Sequence, residues 1–321
     1  MTDDTHPETL PDTSPDKGVD ETAAAPTRSG FVAMLGAPNA GKSTLVNQLV
    51  GTKVSIVTHK VQTTRALVRG IAIKDRTQIV FVDTPGVFNP KRRLDRAMVK
   101  TAWGGAKDAD IVLPIIDADR GINDEVLAIM DRLKDVKQPK VLLLNKVDQM
   151  RRDRLLAMTQ EISTKGEFER IFMISALNGS GCDDLMEFLA ARLPEGPWYY
   201  PEDQISDLPL RQLAAEITRE KLFLRLHQEI PYASTVETER WENRPDGSVR
   251  IEQTIYVERD SQKAIVLGHK GETVKAIGQA ARREITEAAE QTVHLFLFVK
   301  VRENWGDDPE RYREMGLDYT A

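Results

Sequence analysis

Several short motifs along the chain carry glycines, a lysine, hydroxyls and carboxylates at spacings that suit phosphate and metal chemistry. The first, GAPNAGKS at 36–43, has the pattern GxxxxGK[ST]. In such a loop the backbone N–H groups surround phosphates, the lysine neutralises them and the last hydroxyl reaches magnesium. A glycine-rich turn that merely opens a helix is the alternative, and the apolar run that precedes the motif disfavours it. The predicted phosphate-binding set is Gly36, Ala37, Pro38, Asn39, Ala40, Gly41, Lys42, Ser43 and Thr44.

A second motif, DTPG at 83–86, directly follows the apolar run Ile79–Val82. An acid at the carboxyl end of a strand can hold magnesium through water, so we assign this role to Asp83 and a γ-phosphate contact to the Gly86 N–H. By itself the tetrapeptide is also a common turn, and its distance from the first motif supports the functional interpretation. The predicted set is Asp83, Thr84, Pro85 and Gly86.

A third motif, NKVD at 145–148, indicates which base is bound. Guanine presents two N–H donors along one edge, and a carboxylate accepts both, whereas adenine cannot satisfy it. We assign this contact to Asp148, the guanine O6 and N7 contacts to Asn145, and stacking on the base to the alkyl stem of Lys146. The later tripeptide ISA at 174–176 predicts a backbone N–H near guanine O6, from Ser175 or Ala176.

Four motifs in this order resemble the guanine-nucleotide fingerprint of translation-factor-like P-loop GTPases. The segment KVSIVTHKVQTTR at 53–65 also resembles switch I of the Era family. The resemblance implies a switch I threonine that closes on magnesium, and Thr64 is favoured over Thr63 by its place in the motif. A solvated pair of β-branched residues is the alternative. The switch I set is Gln62, Thr63, Thr64 and Arg65, and the predicted magnesium set is Ser43, Thr64 and Asp83.

Val87 stands where many GTPases carry a glutamine that orients the attacking water. Valine can neither orient water nor accept a proton, so we predict slow intrinsic hydrolysis. In resembling GTPases with a hydrophobic residue here, an asparagine of the phosphate loop coordinates potassium. Asn39 occupies that position, and the sequence therefore predicts potassium-stimulated hydrolysis of GTP to GDP, with magnesium as the other cofactor.

The motifs require elements that bring them to one place. Short apolar runs alternate with polar or amphipathic stretches from Phe31 to about Leu193, which predicts buried parallel strands joined by crossover helices. We therefore predict an α/β P-loop GTPase domain with a doubly wound, mostly parallel sheet over 28–194. Four prolines between Pro194 and Pro209 predict a linker at 195–208.

The remaining chain predicts elements in the order α-β-β-α-α-β. A helix at 210–228 is followed by two alternating runs around an Asp-Gly turn, two further helices and a strand at 293–301. With GHKG at 268–271 between the two later helices, this order resembles an α+β type II KH domain, which clamps about four nucleotides of single-stranded RNA. We place it at 209–304, followed by a C-terminal tail at 305–321.

Basic residues concentrate around this glycine loop although 209–304 as a whole is close to neutral. They predict a local phosphate-binding stripe, with a solvated helix face as the alternative. Base contacts are expected from Ile277 and the neighbouring strand edge. The predicted RNA-binding residues are Gly268, His269, Lys270, Gly271, Lys263, Lys275, Arg282 and Arg283.

The resemblance to the Era family extends over everything after residue 27. It implies binding to the 3′ end of 16S ribosomal RNA, assistance in assembly of the 30S subunit, and peripheral association with the bacterial inner membrane. The first 27 residues hold seven acidic residues against one basic residue and predict a disordered acidic tail. The single cysteine, Cys182, and the lack of an apolar run of about 18 residues favour a cytoplasmic protein. We expect a monomer.

Two other functions fit the same residues. Because Val87 cannot orient water, one alternative is a constitutive RNA-binding module whose nucleotide site is structural and hydrolyses GTP very slowly. The family resemblance also allows a peripheral-membrane signalling GTPase, although the predicted helix at 273–290 is a poor lipid-binding helix because its acidic residues offset its basic ones.

Overall fold

A computed structural model describes residues 26–320, so nearly all of the predicted acidic tail lies outside the described residues. The first part of the chain forms a six-stranded sheet in the order β2-β3-β1-β4-β5-β6. All neighbouring strands are parallel except β2 and β3. The strands are β1 (Arg28–Gly36), β2 (Val68–Lys74), β3 (Thr77–Asp83), β4 (Ile111–Asp117), β5 (Val141–Asn145) and β6 (Arg170–Met173).

Helices cover both faces of this sheet, which confirms the doubly wound fold. The helices are α1 (Lys42–Val50), α2 (Arg93–Asp108), α3 (Asp124–Leu133), α4 (Arg152–Ser163) and α5 (Cys182–Arg192). α1 and α5 pack their apolar residues on one face, and α2, α3 and α4 pack theirs on the other. Because β1, β3, β4 and β5 are covered on both sides, they consist of almost continuous apolar runs, whereas Arg170 and Met173 of the edge strand β6 are exposed.

The second part of the chain is a three-stranded sheet, in the order β7-β8-β9, with helices on one side. β7 and β8 form an antiparallel hairpin, whereas β8 and β9 are parallel. The elements are α6 (Leu210–Arg225), β7 (Ser234–Asn243), β8 (Val249–Val257), α7 (Asp260–Leu267), α8 (Glu272–Ala289) and β9 (Val293–Val301). The predicted order α-β-β-α-α-β is confirmed, and we call this part the KH unit.

The C-terminal segment returns to the first part of the chain. It contains a short helix, α9 (Pro309–Glu314). Trp305, Tyr312 and Leu317 are buried against Leu94 and Met98 of α2. None of the helices between residues 26 and 320 is both long and apolar enough to cross a bilayer.

Candidate functional site

The nucleotide motifs follow strand ends at one edge of the six-stranded sheet. GAPNAGKS connects β1 to α1, DTPG follows β3 and NKVD follows β5. Because parallel strands end at the same edge, these loops meet around one cavity of about 330 Å³. The predicted residues that line the cavity are Pro38, Asn39, Gly41, Lys42, Ser43, Thr44, Gln62, Thr63, Thr64, Gly86, Asn145, Lys146, Asp148 and Ala176.

The remaining predicted nucleotide-site residues do not line the cavity. Thr84 is buried and donates through Oγ1 to the Met34 carbonyl, so it joins two strand ends. Arg65 extends into the KH unit. The predicted residues outside the lining are Gly36, Ala37, Ala40, Arg65, Asp83, Thr84, Pro85 and Ser175.

The phosphate loop approaches NKVD so closely that only glycine fits at position 41. Gly41 has φ +99°, and a Cβ there would lie 2.2 Å from Asn145 Nδ2. Asn145 Nδ2 donates to the Ala40 carbonyl at 2.8 Å, and Asn145 Oδ1 accepts the Ala176 N–H at 2.9 Å. Asn145 therefore joins three motifs, a role that its motif alone did not predict. The Ala176 N–H that we predicted near guanine O6 is occupied by this bond.

Lys42 lies within the phosphate loop, where Nζ donates to the carbonyls of Gly36 (3.1 Å) and Ala37 (2.9 Å). Burial lowers the pKa of Lys42 to about 8, and the negative charge of Asp83 opposes this shift. Phosphates in the cavity would stabilise the ammonium form and keep the lysine charged.

A cluster of hydroxyls surrounds the buried carboxylate of Asp83. Its Oδ2 accepts hydrogen bonds from Ser43 and Ser55, both at 2.6 Å, and Thr64 Oγ1 lies 3.4 Å away. Ser43 and Thr64 are themselves 2.9 Å apart. Burial raises the pKa of Asp83, whereas the hydrogen bonds from Ser43 and Ser55 lower it. The sequence analysis assigned no role to Ser55, although it lies in the quoted switch I segment 53–65.

The two adjacent threonines of switch I have different surroundings. Thr64 is buried and belongs to the Asp83 cluster, so the alternative of a solvated pair is wrong for Thr64. The Thr63 hydroxyl bonds instead to Thr58 (2.6 Å) and to the Lys60 carbonyl (2.7 Å). The structure thus brings Thr64, and not Thr63, to Ser43 and Asp83.

The base-binding side of the cavity contains an exposed carboxylate, Asp148, in a 3-10 turn after β5. Among residues 26–320, no side chain or backbone group forms a hydrogen bond or ion pair with it. Lys146, with φ +66°, extends its amine to Asp117 Oδ2 at 2.5 Å. Asp117, at the end of β4, fixes this lysine and was also missed, because a lone acid after a strand carries no distinctive spacing.

Val87 packs against the apolar core beside Ala37 and Phe88. Its backbone N–H donates to the Gly36 carbonyl at 3.0 Å. Asn39 Nδ2 donates to the His59 carbonyl at 2.8 Å, and its Oδ1 has no hydrogen-bond partner among the described residues. The amide oxygen of Asn39 is therefore available to a further partner at the phosphate loop.

The glycine loop of the KH unit forms a tight turn between α7 and α8. Gly268 has φ +72°, and a Cβ there would lie 2.2 Å from Thr273 Oγ1. His269 and Lys270 are exposed at the tip of the turn, and Lys270 has φ +48°. The loop therefore presents a cation and accessible backbone to solvent.

The predicted basic residues near this loop are accessible. Lys270, Lys275, Arg282 and Arg283 are exposed and Lys263 is half-buried. None of the five forms a salt bridge within residues 26–320. The prediction that Ile277 contacts bases is wrong, because its side chain is 1% exposed and packs in the core of the KH unit.

Comparison with known proteins supports a GTPase domain in the first part of the chain and a KH domain in the second. A family model described as "50S ribosome-binding GTPase" matches residues 31–146, and one described as "KH domain" matches residues 229–306. GTPase Era of Brucella suis biovar 1 (strain 1330) is 75% identical over 309 residues, which cover 96% of this chain and 99% of that protein. GTPase Era of Mesorhizobium japonicum is 74% identical over 300 residues, covering 93% and 97%.

Two similar solved structures cover 90% of this chain and 99% of their own, with 38% identity and a TM-score of 0.86. One is Era in complex with MgGDPNP and nucleotides 1506–1542 of 16S ribosomal RNA. The other is a variant of Aquifex aeolicus Era bound to GDP·AlF4⁻. The motifs, the two-part fold and these matches together lead to one conclusion: the chain is a GTPase and belongs to the Era family.

Proposed function

We propose that this GTPase is a switch that binds the 3′-end region of 16S ribosomal RNA and assists assembly of the small ribosomal subunit. The observation that carries the proposal is the single cavity lined by the phosphate loop, switch I, Gly86 and NKVD, on a chain that also presents an exposed GXXG loop. The RNA-bound relative supports the choice of RNA. We place this function in the cytoplasm, and peripheral membrane association and a monomeric state remain predictions.

The residues around Asp83 fit a magnesium ion. Asp83 Oδ1 is fully buried and has no hydrogen-bond partner among the described residues. The hydroxyls of Ser43 and Thr64 lie beside the same carboxylate. Magnesium prefers such oxygen ligands and usually keeps several waters, so Ser43, Thr64 and a water-mediated Asp83 are the proposed ligands. When bound, the ion would neutralise charge on the β- and γ-phosphate oxygens.

The protein's own groups then hold and polarise the nucleotide. Backbone N–H groups of the phosphate loop and the Lys42 ammonium bind the β- and γ-phosphates, and the Gly86 N–H binds a γ-phosphate oxygen. Asp148 accepts from guanine, while Asn145 retains one Nδ2 hydrogen for the base because the other is donated to Ala40. Val87 supplies no group to orient water, so positioning and charge stabilisation carry the reaction.

The function is tested by single-turnover GTP hydrolysis with and without an oligonucleotide of the 16S ribosomal RNA 3′ end. We expect specific binding of this RNA and an affinity that differs between the GTP-analogue and GDP states, since a switch requires a differential affinity. Equal affinity in both states, together with turnover no faster than uncatalysed hydrolysis, would support the constitutive RNA-binding module instead.

Potassium is expected to accelerate hydrolysis. Asn39 Oδ1 is unpartnered within the described residues and can contribute to coordination of a cation that bridges the phosphates. We expect at least about tenfold faster single-turnover hydrolysis in KCl than in NaCl at equal ionic strength, since a bridging cation replaces an arginine finger. Asn39→Gly, which keeps the positive φ without strain, should lose this acceleration and retain GDP binding. Equal rates in the two salts would contradict the assignment.

Lys270 is expected to contact an RNA phosphate. Lys270→Ala should weaken RNA binding several-fold at about 150 mM salt and reduce the slope of log affinity against log salt by about 0.7. The matched control is Lys165→Ala, which removes an exposed lysine from the GTPase domain. Fluorescence anisotropy measures both variants. Identical salt slopes for Lys270→Ala and the control would contradict the RNA contact.

A further inference from the structure

Switch I, which we define as 53–65, is held from two sides. Towards the nucleotide cavity, Ser55 and Thr64 belong to the Asp83 cluster, and the His59 carbonyl accepts from Asn39. Towards the KH unit, switch I forms a series of polar contacts with α6 and the residues around the start of β7. These contacts lie beside Thr64, the residue proposed to bind magnesium.

Arg65, the neighbour of Thr64, is anchored in the KH unit. Its side chain is 4% exposed. The guanidinium donates to the carbonyls of Ser234 at 3.0 Å and Pro231 at 3.3 Å. It also lies 5.7 Å from the ring centroid of Phe223 and 5.4 Å from that of Trp305. A planar guanidinium is suited to this combination of two acceptors and two rings, which a lysine could not reproduce.

Arg219 of α6 holds the other neighbour of Thr64. Its side chain is 2% exposed, and its Nη2 donates to the Thr63 carbonyl. Glu216 accepts from Arg219 Nε at 2.8 Å and neutralises the buried charge. The Arg219 guanidinium thus holds the backbone of switch I at position 63. Together with the Arg65 contacts, this means that both residues flanking Thr64 are held by the KH unit.

The N-terminal half of switch I has similar anchors. Glu220, the next residue of α6, accepts the Val57 N–H at 2.8 Å and an Nζ–H of Lys53 at 2.7 Å. Lys53 also pairs with Glu284 of α8. Lys60 donates to the Phe223 carbonyl. Because these partners all belong to the KH unit, displacement of that unit would remove the outer support of switch I along most of its length.

We propose that Arg65 and Arg219 are positioning residues for GTP hydrolysis, which hold Thr64 at Ser43 and Asp83 only while the KH unit is docked on switch I. The proposal rests on the function proposed above and names the contacts that couple the two sites. By thermodynamic linkage, a ligand that favours the docked KH unit then favours GTP binding, and GTP favours the docked KH unit to the same extent.

The test uses full-length Arg219→Ala and Arg65→Ala, with Arg69→Ala as the matched control. Arg69 pairs with Asp207 at 2.6 Å, so it also joins β2 to the segment before the KH unit, and within residues 26–320 its side chain forms no hydrogen bond or salt bridge with switch I. Single-turnover hydrolysis, GDP affinity and amide hydrogen exchange of 57–64 with a bound GTP analogue are measured. Arg219→Gln, which retains an N–H donor for the Thr63 carbonyl, is the conservative variant.

We expect Arg219→Ala, which removes one charge-assisted hydrogen bond to switch I, and Arg65→Ala, which removes two such bonds to the KH unit, each to slow hydrolysis by at least about tenfold. Amide hydrogen exchange of 57–64 should become faster. The affinity for GDP should stay within about twofold of the unmodified chain, because GDP lacks the γ-phosphate. Arg219→Gln should recover part of the rate of hydrolysis. Wild-type rates and exchange, an equal effect of Arg69→Ala, or a parallel loss of GDP affinity would each overturn the proposal. Failure of the proposed function itself would instead appear in the unmodified chain, as absent hydrolysis or RNA binding.

Discussion

Asp148→Asn is expected to change the nucleotide preference of this GTPase from guanosine to xanthosine phosphates. The Asp148 carboxylate faces the cavity without a partner among the described residues, so it is available to accept both guanine N–H groups. An asparagine amide cannot accept both, but it can donate to the carbonyl that xanthine carries instead of the amino group. Losing two hydrogen bonds to a charged acceptor should weaken GDP binding by on the order of 10²–10³.

Calorimetric titration of GDP, xanthosine diphosphate and ADP into both proteins measures this change. Asp135→Asn is the matched control, because it neutralises an exposed carboxylate that lies outside the cavity. A variant that still prefers GDP would show that Asp148 does not read the base. ADP binding to the unmodified chain as tight as GDP binding would contradict the guanine site as a whole.

The sequence predicted the position of the cavity because the chemistry lies next to strand ends. Four apolar runs, at 79–82, 111–116, 141–144 and 171–174, correspond to β3, β4, β5 and β6. A parallel strand that is covered by helices on both faces has to be apolar throughout, so it is recognisable without an alignment. The motifs that follow such strands have little freedom in where they lie. The edge strand β2 was not predicted. It pairs with β3 in the antiparallel direction, and its apolar run is shorter than those of the other strands.

The support of the site was less predictable because it depends on contacts between distant residues. Ser55 reaches Asp83 across 28 positions and Asn145 reaches Ala40 across 105. Arg65 was assigned to switch I by its motif, yet its guanidinium bonds to residues 166 and 169 positions later in the chain. No local pattern encodes such pairs. Ile277 was misassigned for the related reason that periodicity shows which helix face is apolar but not what covers it.

Thr64→Ala should slow GTP hydrolysis strongly while GDP affinity changes little. The neighbouring Thr63→Ala should have only a small effect on the rate of hydrolysis. The Thr64 hydroxyl lies with Ser43 at the Asp83 carboxylate, whereas Thr63 bonds to Thr58 and the Lys60 carbonyl. If Thr64 binds magnesium as proposed, removing its hydroxyl should lower the single-turnover rate by on the order of 10². Thr63→Ala loses only local hydrogen bonds and should lower the rate by less than about fivefold.

The two variants form a matched pair, because they delete the same atoms from adjacent residues of one loop. GDP affinity measured by titration should change little in either, since no γ-phosphate is present for Thr64 to contact. Equal rates for the two variants would remove Thr64 from the magnesium set. A larger effect at Thr63 would mean that switch I rearranges when GTP binds, so that Thr63, whose carbonyl accepts from Arg219, takes the position beside Asp83.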